Sequence, residues 1–176
     1  MPSLNDPNFE RTVTLICQHD DEGALGIVIN RPMELSAVEL LRQLDISTDH
    51  EIDDKASVYS GGPVQPELGL ILHDSNTATD NFETMISISD ELDLTMSIDI
   101  LEAIARNEGP DRVLIALGYA GWGPGQLDSE MAQNAWLSVP ASIDVIFDTP
   151  ISQRWDAAAR SIGVDIGLMS SQSGRA

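Results

Sequence analysis

Two apolar, β-branched runs, Thr12 to Cys17 and Ala24 to Asn30, flank the polar stretch Gln18 to Gly23. Strands this close in sequence bury their inward side chains most directly by folding back on one another, so the segment predicts a β-hairpin. The pattern recurs where Met85 to Ile88 and Leu92 to Met96 are joined around Ser89 to Glu91, a second predicted hairpin. Hairpins separated by single helices, with no regular alternation of strand and helix, argue for an α+β fold over a doubly wound parallel sheet.

The remaining elements follow from local signals. Ser36 and Glu39 stand at capping-box spacing, with Ala37, Leu40, Leu41 and Leu44 on one face of the helix they open. Short strands are predicted at Ala56 to Tyr59 and Leu68 to His73, between loops over Asp45 to Lys55 and Asn76 to Asn81. Ser97 is expected to cap a helix reaching Arg106, with Ile98, Leu101 and Ala105 inward and Gly109-Pro110 stopping it. Val113 to Leu117 reads as a buried strand, Gly118 to Gly125 as a loop, Gln126 to Asn134 as a helix and Ile143 to Phe147 as a strand. Thr149, with Pro150 in the first turn, is expected to cap a last helix whose inner face is Ile151, Trp155, Ala158 and Ile162, ended by Gly163. No linker or repeat interrupts the chain, so residues 1–168 are expected to form a single domain and residues 169–176 a frayed tail.

Charge narrows the function. The chain carries 29 acidic and 9 basic residues, a formal net charge of −20 at pH 7. Lys55 is its single lysine, and the arginines are scattered. A nucleic-acid binder needs a basic footprint to displace counterions from phosphate, so direct binding of DNA or RNA is disfavoured. The acids are dispersed, as expected of a solubilising surface. No apolar stretch is long enough for a membrane span, and Met1 to Glu10 lacks the basic and apolar regions of a signal peptide, so a cytoplasmic protein without membrane contact is expected. Cys17 is the sole cysteine and has no intrachain disulfide partner.

Four features bear on chemistry. In Cys17-Gln18-His19, strand alternation puts a thiol and an imidazole on one face of the hairpin. A protonated imidazole lowers a thiol pKa and makes a nucleophile, provided the pair is partly exposed and opens on a cleft. The plainer alternative is a small buried cysteine beside a histidine satisfied at the strand end. A metal site built from Cys17, His19 and His73 lacks a fourth group and any recurring zinc spacing, so no metal is expected.

The stretch Gly118 to Gly125 (GYAGWGPG) matches neither a dinucleotide-binding nor a P-loop pattern, and Asp128 and Glu130 put negative charge at the start of the helix after it. No cofactor is expected there. Gly118 and Gly121 let the chain turn tightly around Tyr119 and Trp122, which reads as a rigid aromatic contact surface or, alternatively, as a loop packed back on its own domain. Asn30-Arg31-Pro32 ends the second strand and either stops it or places Arg31 at a pocket rim. Gly61-Gly62-Pro63 is expected to meet a turn or a close approach of another segment.

His19 to Pro32 (HDDEGALGIVINRP), Ser60 to Val64 (SGGPV), Leu70 to His73 (LILH), Leu117 to Leu137 (LGYAGWGPGQLDSEMAQNAWL), Asp148 to Trp155 (DTPISQRW) and Gly163 to Ile166 (GVDI) together resemble the bacterial AlgH/YqgE-type family, nearly end to end. The resemblance implies a mixed, hairpin-rich bifurcated sheet forming a pseudo-barrel with about four helices. It also implies a link to transcriptional control of exopolysaccharide production in a family without an accepted catalytic mechanism. Similar proteins carry about ten residues ahead of the Met-Pro at the start of this chain, including an apolar strand. Supplying such a segment is therefore expected to raise thermal stability. On these grounds the chain is expected to be a regulatory or protein-interaction module that binds a protein partner. Tyr119, Trp122, Asn30, Arg31 and Pro32 are its expected surface. The alternative is a small-ligand binder or enzyme using a cleft near Cys17 and His19.

Overall fold

The structure, a computed structural model, describes residues 9–48, 57–75 and 82–164. The expected loops over Asp45 to Lys55 and Asn76 to Asn81, the strand start at Ala56 and the tail 169–176 lie wholly or partly outside the described residues.

Both hairpins are present. β1 (Thr14–Asp20) pairs antiparallel with β2 (Gly23–Val28), and β6 (Met85–Ser89) with β7 (Leu92–Thr95). The first carries a bulge: Ile16 faces Gly26 and Gln18 faces Leu25, which leaves Cys17 without a ladder partner. β3 (Pro32–Ser36) runs into α1 (Ala37–Gln43) through a complete capping box. Ser36 Oγ accepts from the Glu39 amide at 3.2 Å, and the Glu39 carboxylate accepts from the Ser36 amide at 2.9 Å. Ala37, Leu40 and Leu41 are buried as expected, but Leu44 is the exposed C-cap, because the helix ends before the stripe reaches it.

β4 (Ser57–Ser60), β5 (Val64–Asp74) and β8 (Val113–Trp122) complete an eight-stranded sheet in the order β1-β2-β8-β5-β7-β6, with β4 joining β3 to β8. The sheet is nearly closed and barrel-like. β8 is its axis: one edge pairs along β5, while the other is shared between β4, parallel at Ile115 to Leu117, and β2, antiparallel at Ala120 to Trp122. That division is the bifurcation. Leu70, Leu72, Leu114 and Ala116 face a core inside the barrel, and the intervening Ile71 and Ile115 face a second core under α1 and α2 (Asp99–Ala105). A strand buried on both faces reads as a continuous apolar run, which is the pattern of LGLILH and VLIAL.

Four local expectations are corrected. Gly118 to Trp122 continue β8 rather than forming a loop, because β2 and β5 supply ladder partners there. Ile143 to Phe147 are not a strand; Asp144–Asp148 make one π-helical turn with Ile146 inward, closed by Thr149 N donating to Asp144 O at 2.7 Å. Ser97 does not cap α2, whose N-cap is the exposed Ile98; the Ser97 hydroxyl instead accepts from the Thr84 amide and donates to Asp99. Thr149 likewise donates to Asp144 O instead of capping the last helix. α3 (Gln126–Ala132) matches its expected start, and α4 (Arg154–Arg160) follows a short 3-10 turn at Ile151–Gln153. α4 buries Arg154 and Ala159, while Ile162 is exposed beyond its end. No helix among the described residues is long and apolar enough to cross a membrane.

Candidate functional site

The Cys17 and His19 side chains part company. β1 outruns the core, so Leu15 and Cys17 face inward while Gln18, His19 and Asp20 are in solvent. Burial pushes the Cys17 thiol up from 9.0 to about 12, the opposite of an activated nucleophile. Its nearest polar contact is the Leu15 carbonyl, 3.7 Å away. His19 Nε2 lies 3.2 Å from Asp128 Oδ2 across the junction with α3. His73 is fully buried; Nδ1 donates to Asp74 O at 3.1 Å, and Nε2 is hydrogen-bonded to the Thr95 hydroxyl at 2.9 Å. Among the described residues no group of three or more His, Cys, Asp or Glu side chains could hold a metal ion.

Tyr119 and Trp122 point to opposite sides of β8. Tyr119 packs against the barrel core, and Trp122 is only 7% exposed, in a satellite cluster with Ala120, Leu127, Phe9 and Trp136. They do not form one exposed surface. Glu130 organises the cluster: one carboxylate oxygen accepts from Trp122 Nε1 at 3.0 Å and Trp136 Nε1 at 2.7 Å, the other from Gln126 Nε2 at 2.9 Å. Partial burial pushes the Glu130 pKa up, but the three donors outweigh it and hold the carboxyl below its usual range. Trp136 belongs to the family-like motif Leu117 to Leu137, whereas Phe9 carries no signal in the sequence, since aromatic contacts between distant segments leave no local periodicity.

The Asn30-Arg31-Pro32 corner fastens the chain entering β1. Asn30 Oδ1 accepts from Val13 N at 2.8 Å, Asn30 Nδ2 donates to Arg11 O at 2.9 Å, and Arg31 donates to Glu10 O at 3.1 Å. Pro32 opens β3 opposite Tyr59. Gly61 and Gly62 meet Gly118 at the bifurcation. A Cβ on Gly61 would sit 2.2 Å from Gly118 O, and one on Gly62 2.1 Å from the Tyr119 carbonyl carbon. Gly61 also bridges the divided sheet, donating to Leu117 O and accepting from Val28 N, both at 2.8 Å. The expected close approach is therefore between these two motifs.

Beside the first hairpin lies a groove of about 610 Å³, within the range of ligand-sized pockets. Its near wall includes Thr12 to Ile16 in succession; a strand face shows only alternate residues, so the groove follows the edge of β1. The far wall includes Leu137, Val139, Pro140, Trp155 and Ala158, with Trp122 and Trp136 at one end. His19 and Asp128, 41% and 65% exposed, stand at its rim. The groove brings together Trp122 and His19 from the expected residues, leaves Tyr119 and Cys17 out, and adds the 137–142 segment.

Geometry defines the class first: a barrel-like α+β domain with a bifurcated sheet and an apolar groove along one strand edge. The sequence profile of the AlgH-like family (DUF179) matches residues 1–167, and the chain belongs to that family. A UPF0301 protein of Methylococcus capsulatus is 51% identical over 174 residues, covering 99% of this chain and 91% of the relative. One from Nitrosococcus oceani is 47% identical over 176 residues, covering 100% and 92%. The solution structure of the AlgH protein from Pseudomonas aeruginosa superposes with a TM-score of 0.78 at 42% identity, covering all of this chain and 92% of that one. Protein DIP2367 from Corynebacterium diphtheriae, at 18% identity and a TM-score of 0.71 over 90% of this chain and 81% of that one, shares the fold.

Proposed function

We propose that this chain is a protein-interaction module whose effect on transcription is indirect, with the groove beside β1 as its contact surface. The observation that carries this reading is the groove itself, lined mainly by apolar side chains and running along a strand edge. Partner recognition commonly uses apolar pockets with aromatic anchors, and Trp122 and Trp136 line one end of this one. The net charge of −20 supports a protein target over a nucleic acid. Asn30 and Pro32 line a second hollow with Arg11 and Trp155, next to the first, so the corner expected to make contact adjoins the same side of the molecule. Copurification from native lysate tests the reading, using wild type, Leu137→Glu at the exposed groove wall and Tyr119→Ala on the other side of β8. A protein retained by wild type and Tyr119→Ala but lost from Leu137→Glu supports it; identical retention by all three refutes it.

The His19–Asp128 pair at the rim favours a second reading, a small-ligand binder or enzyme that uses His19 without the Cys17 thiol. A metabolite that raises the melting temperature of wild type but not of His19→Ala would support it, and failure of every metabolite screened would count against it.

A further inference from the structure

We propose that the groove accepts an extended segment of another protein, which adds as a strand to β1, seats alternate apolar side chains in the groove and carries basic residues on its flanks. This rests on the interaction-module reading. Backbone geometry comes first. Val13 O accepts from Ile29 N, and Val13 N donates to Asn30, so the polar groups of Val13 point toward β2. Antiparallel alternation then turns the N–H and C=O groups of Thr14 and Ile16 away from β2, toward the groove. β1 ends the strand order, and no strand occupies that side among the described residues. The Thr14 hydroxyl, shielded from solvent, has no hydrogen-bond partner there either.

An open strand edge is normally defended by charge, proline or brevity. Thr14 to Cys17 carries neither a charged side chain nor a proline. Leu137, Val139 and Ala158 also line the groove and suit the alternate side chains of an incoming strand.

Charge selects the occupant. Asp20, Asp21 and Glu22 are exposed at one end of β1, Asp128 is on the rim, and Asp144 and Asp156 are exposed beside the far wall. Two cations stand nearby: Arg11, held over the Trp155 ring at 4.8 Å, and Arg160, exposed between the groove-lining Ala159 and Ser161. Acids thus prevail around an apolar slot, which complements a segment with lysine or arginine at its ends. The same charge disfavours a second copy of this chain, which would bring another −20 to the interface.

The probe is a fluorescein-labelled peptide of alternating valine and threonine with lysines at both ends, titrated into the full chain by anisotropy. Two control peptides carry N-methyl groups on the amides that face β1, or glutamates in place of the lysines. Saturable binding, weakened at least tenfold by either change and by Leu137→Glu, is the expected result. Equal binding of the N-methylated peptide overturns strand addition while leaving groove contact, and so the interaction reading, intact. Equal binding of the glutamate peptide overturns the basic partner, and no binding by any peptide overturns the proposal. Amide exchange and sedimentation of the free protein close the alternatives. Slow exchange at Thr14 and Ile16 in a monomer would put a segment of the same chain on the edge, and a dimer dissociated by the peptide would put a second copy there; each overturns the proposal.

Discussion

Replacing Gly61 by alanine tests the architecture at its most crowded point. The new Cβ would lie 2.2 Å from the Gly118 carbonyl oxygen and 3.1 Å from the Ala116 side chain. The first contact is with backbone, so it is relieved only if the segment withdraws from β8. Withdrawal lengthens the bonds from Gly61 to Leu117 and from Val28 to Gly61, worth about 1 kcal/mol each. Forced overpacking adds about 1–3 kcal/mol, so Gly61→Ala should destabilise the domain by roughly 3–5 kcal/mol. For a chain of this size that lowers the melting temperature by about 10 °C. Gly69→Ala is the control, because a Cβ there meets nothing within 4 Å; it should move stability by no more than about 0.5 kcal/mol. Thermal and urea unfolding followed by circular dichroism would compare the two. Indistinguishable midpoints would refute the claim that the glycine is required by lack of space.

Other perturbations probe separate links. Arg154, 4% exposed, donates to Ile29 O and to Thr149 O and lies over the Tyr59 ring at 5.2 Å; Arg154→Met should cost about 2–4 kcal/mol by leaving buried carbonyls unpaired, read as a lower urea midpoint, and an unchanged midpoint would contradict it. Glu130→Gln should cost about 1–3 kcal/mol because an amide replaces the charge that accepts two indole N–H groups, and tryptophan emission should shift; unaltered emission and stability would remove Glu130 as the organiser. The lowered Glu130 pKa has a defined sign: its stabilisation is present above the ordinary 4.5 and is lost as pH falls through the lower folded value, so acid should loosen the tryptophan cluster in wild type more than in Glu130→Gln. For Cys17 the sign is reversed: a thiol raised to about 12 favours the folded state fully below 9.0 and loses that contribution as pH rises toward 12. Folded protein should accordingly resist iodoacetamide at neutral pH until denaturant is added, whereas alkylation at the rate of a free thiol would restore Cys17 as a reactive candidate.

Where an element is governed by its own residues, the sequence was a sound guide. The Ser36–Glu39 capping box forms as its spacing requires, and both hairpins appear because apolar runs joined by short polar turns have no nearer partners. The fold class followed, and so did the family, since its motifs are contiguous. Errors fell where a neighbour decides the conformation. Glycine-rich GYAGW reads as a loop, yet β2 and β5 supply ladder partners and make it strand. VIF reads as strand, yet it joins no ladder among the described residues and coils into a π-helical turn that sends Ile146 into the barrel core.

The candidate site divides in the same way. Sequence by itself determined a strongly acidic α+β chain with one lone thiol, two hairpins and a set of glycines in defined motifs, because composition and nearest-neighbour periodicity are local properties. Tertiary structure alone decided that Cys17 is sealed in the core while His19 reaches Asp128, that Tyr119 and Trp122 part across β8, and that the edge of β1 left unpaired among the described residues meets the 137–142 segment and α4 to make a groove. Each of those outcomes depends on where β1 outruns the core and on which strand lies beside which. Such non-local contacts are set by the packing of the whole chain and leave no trace in the spacing of residues along it.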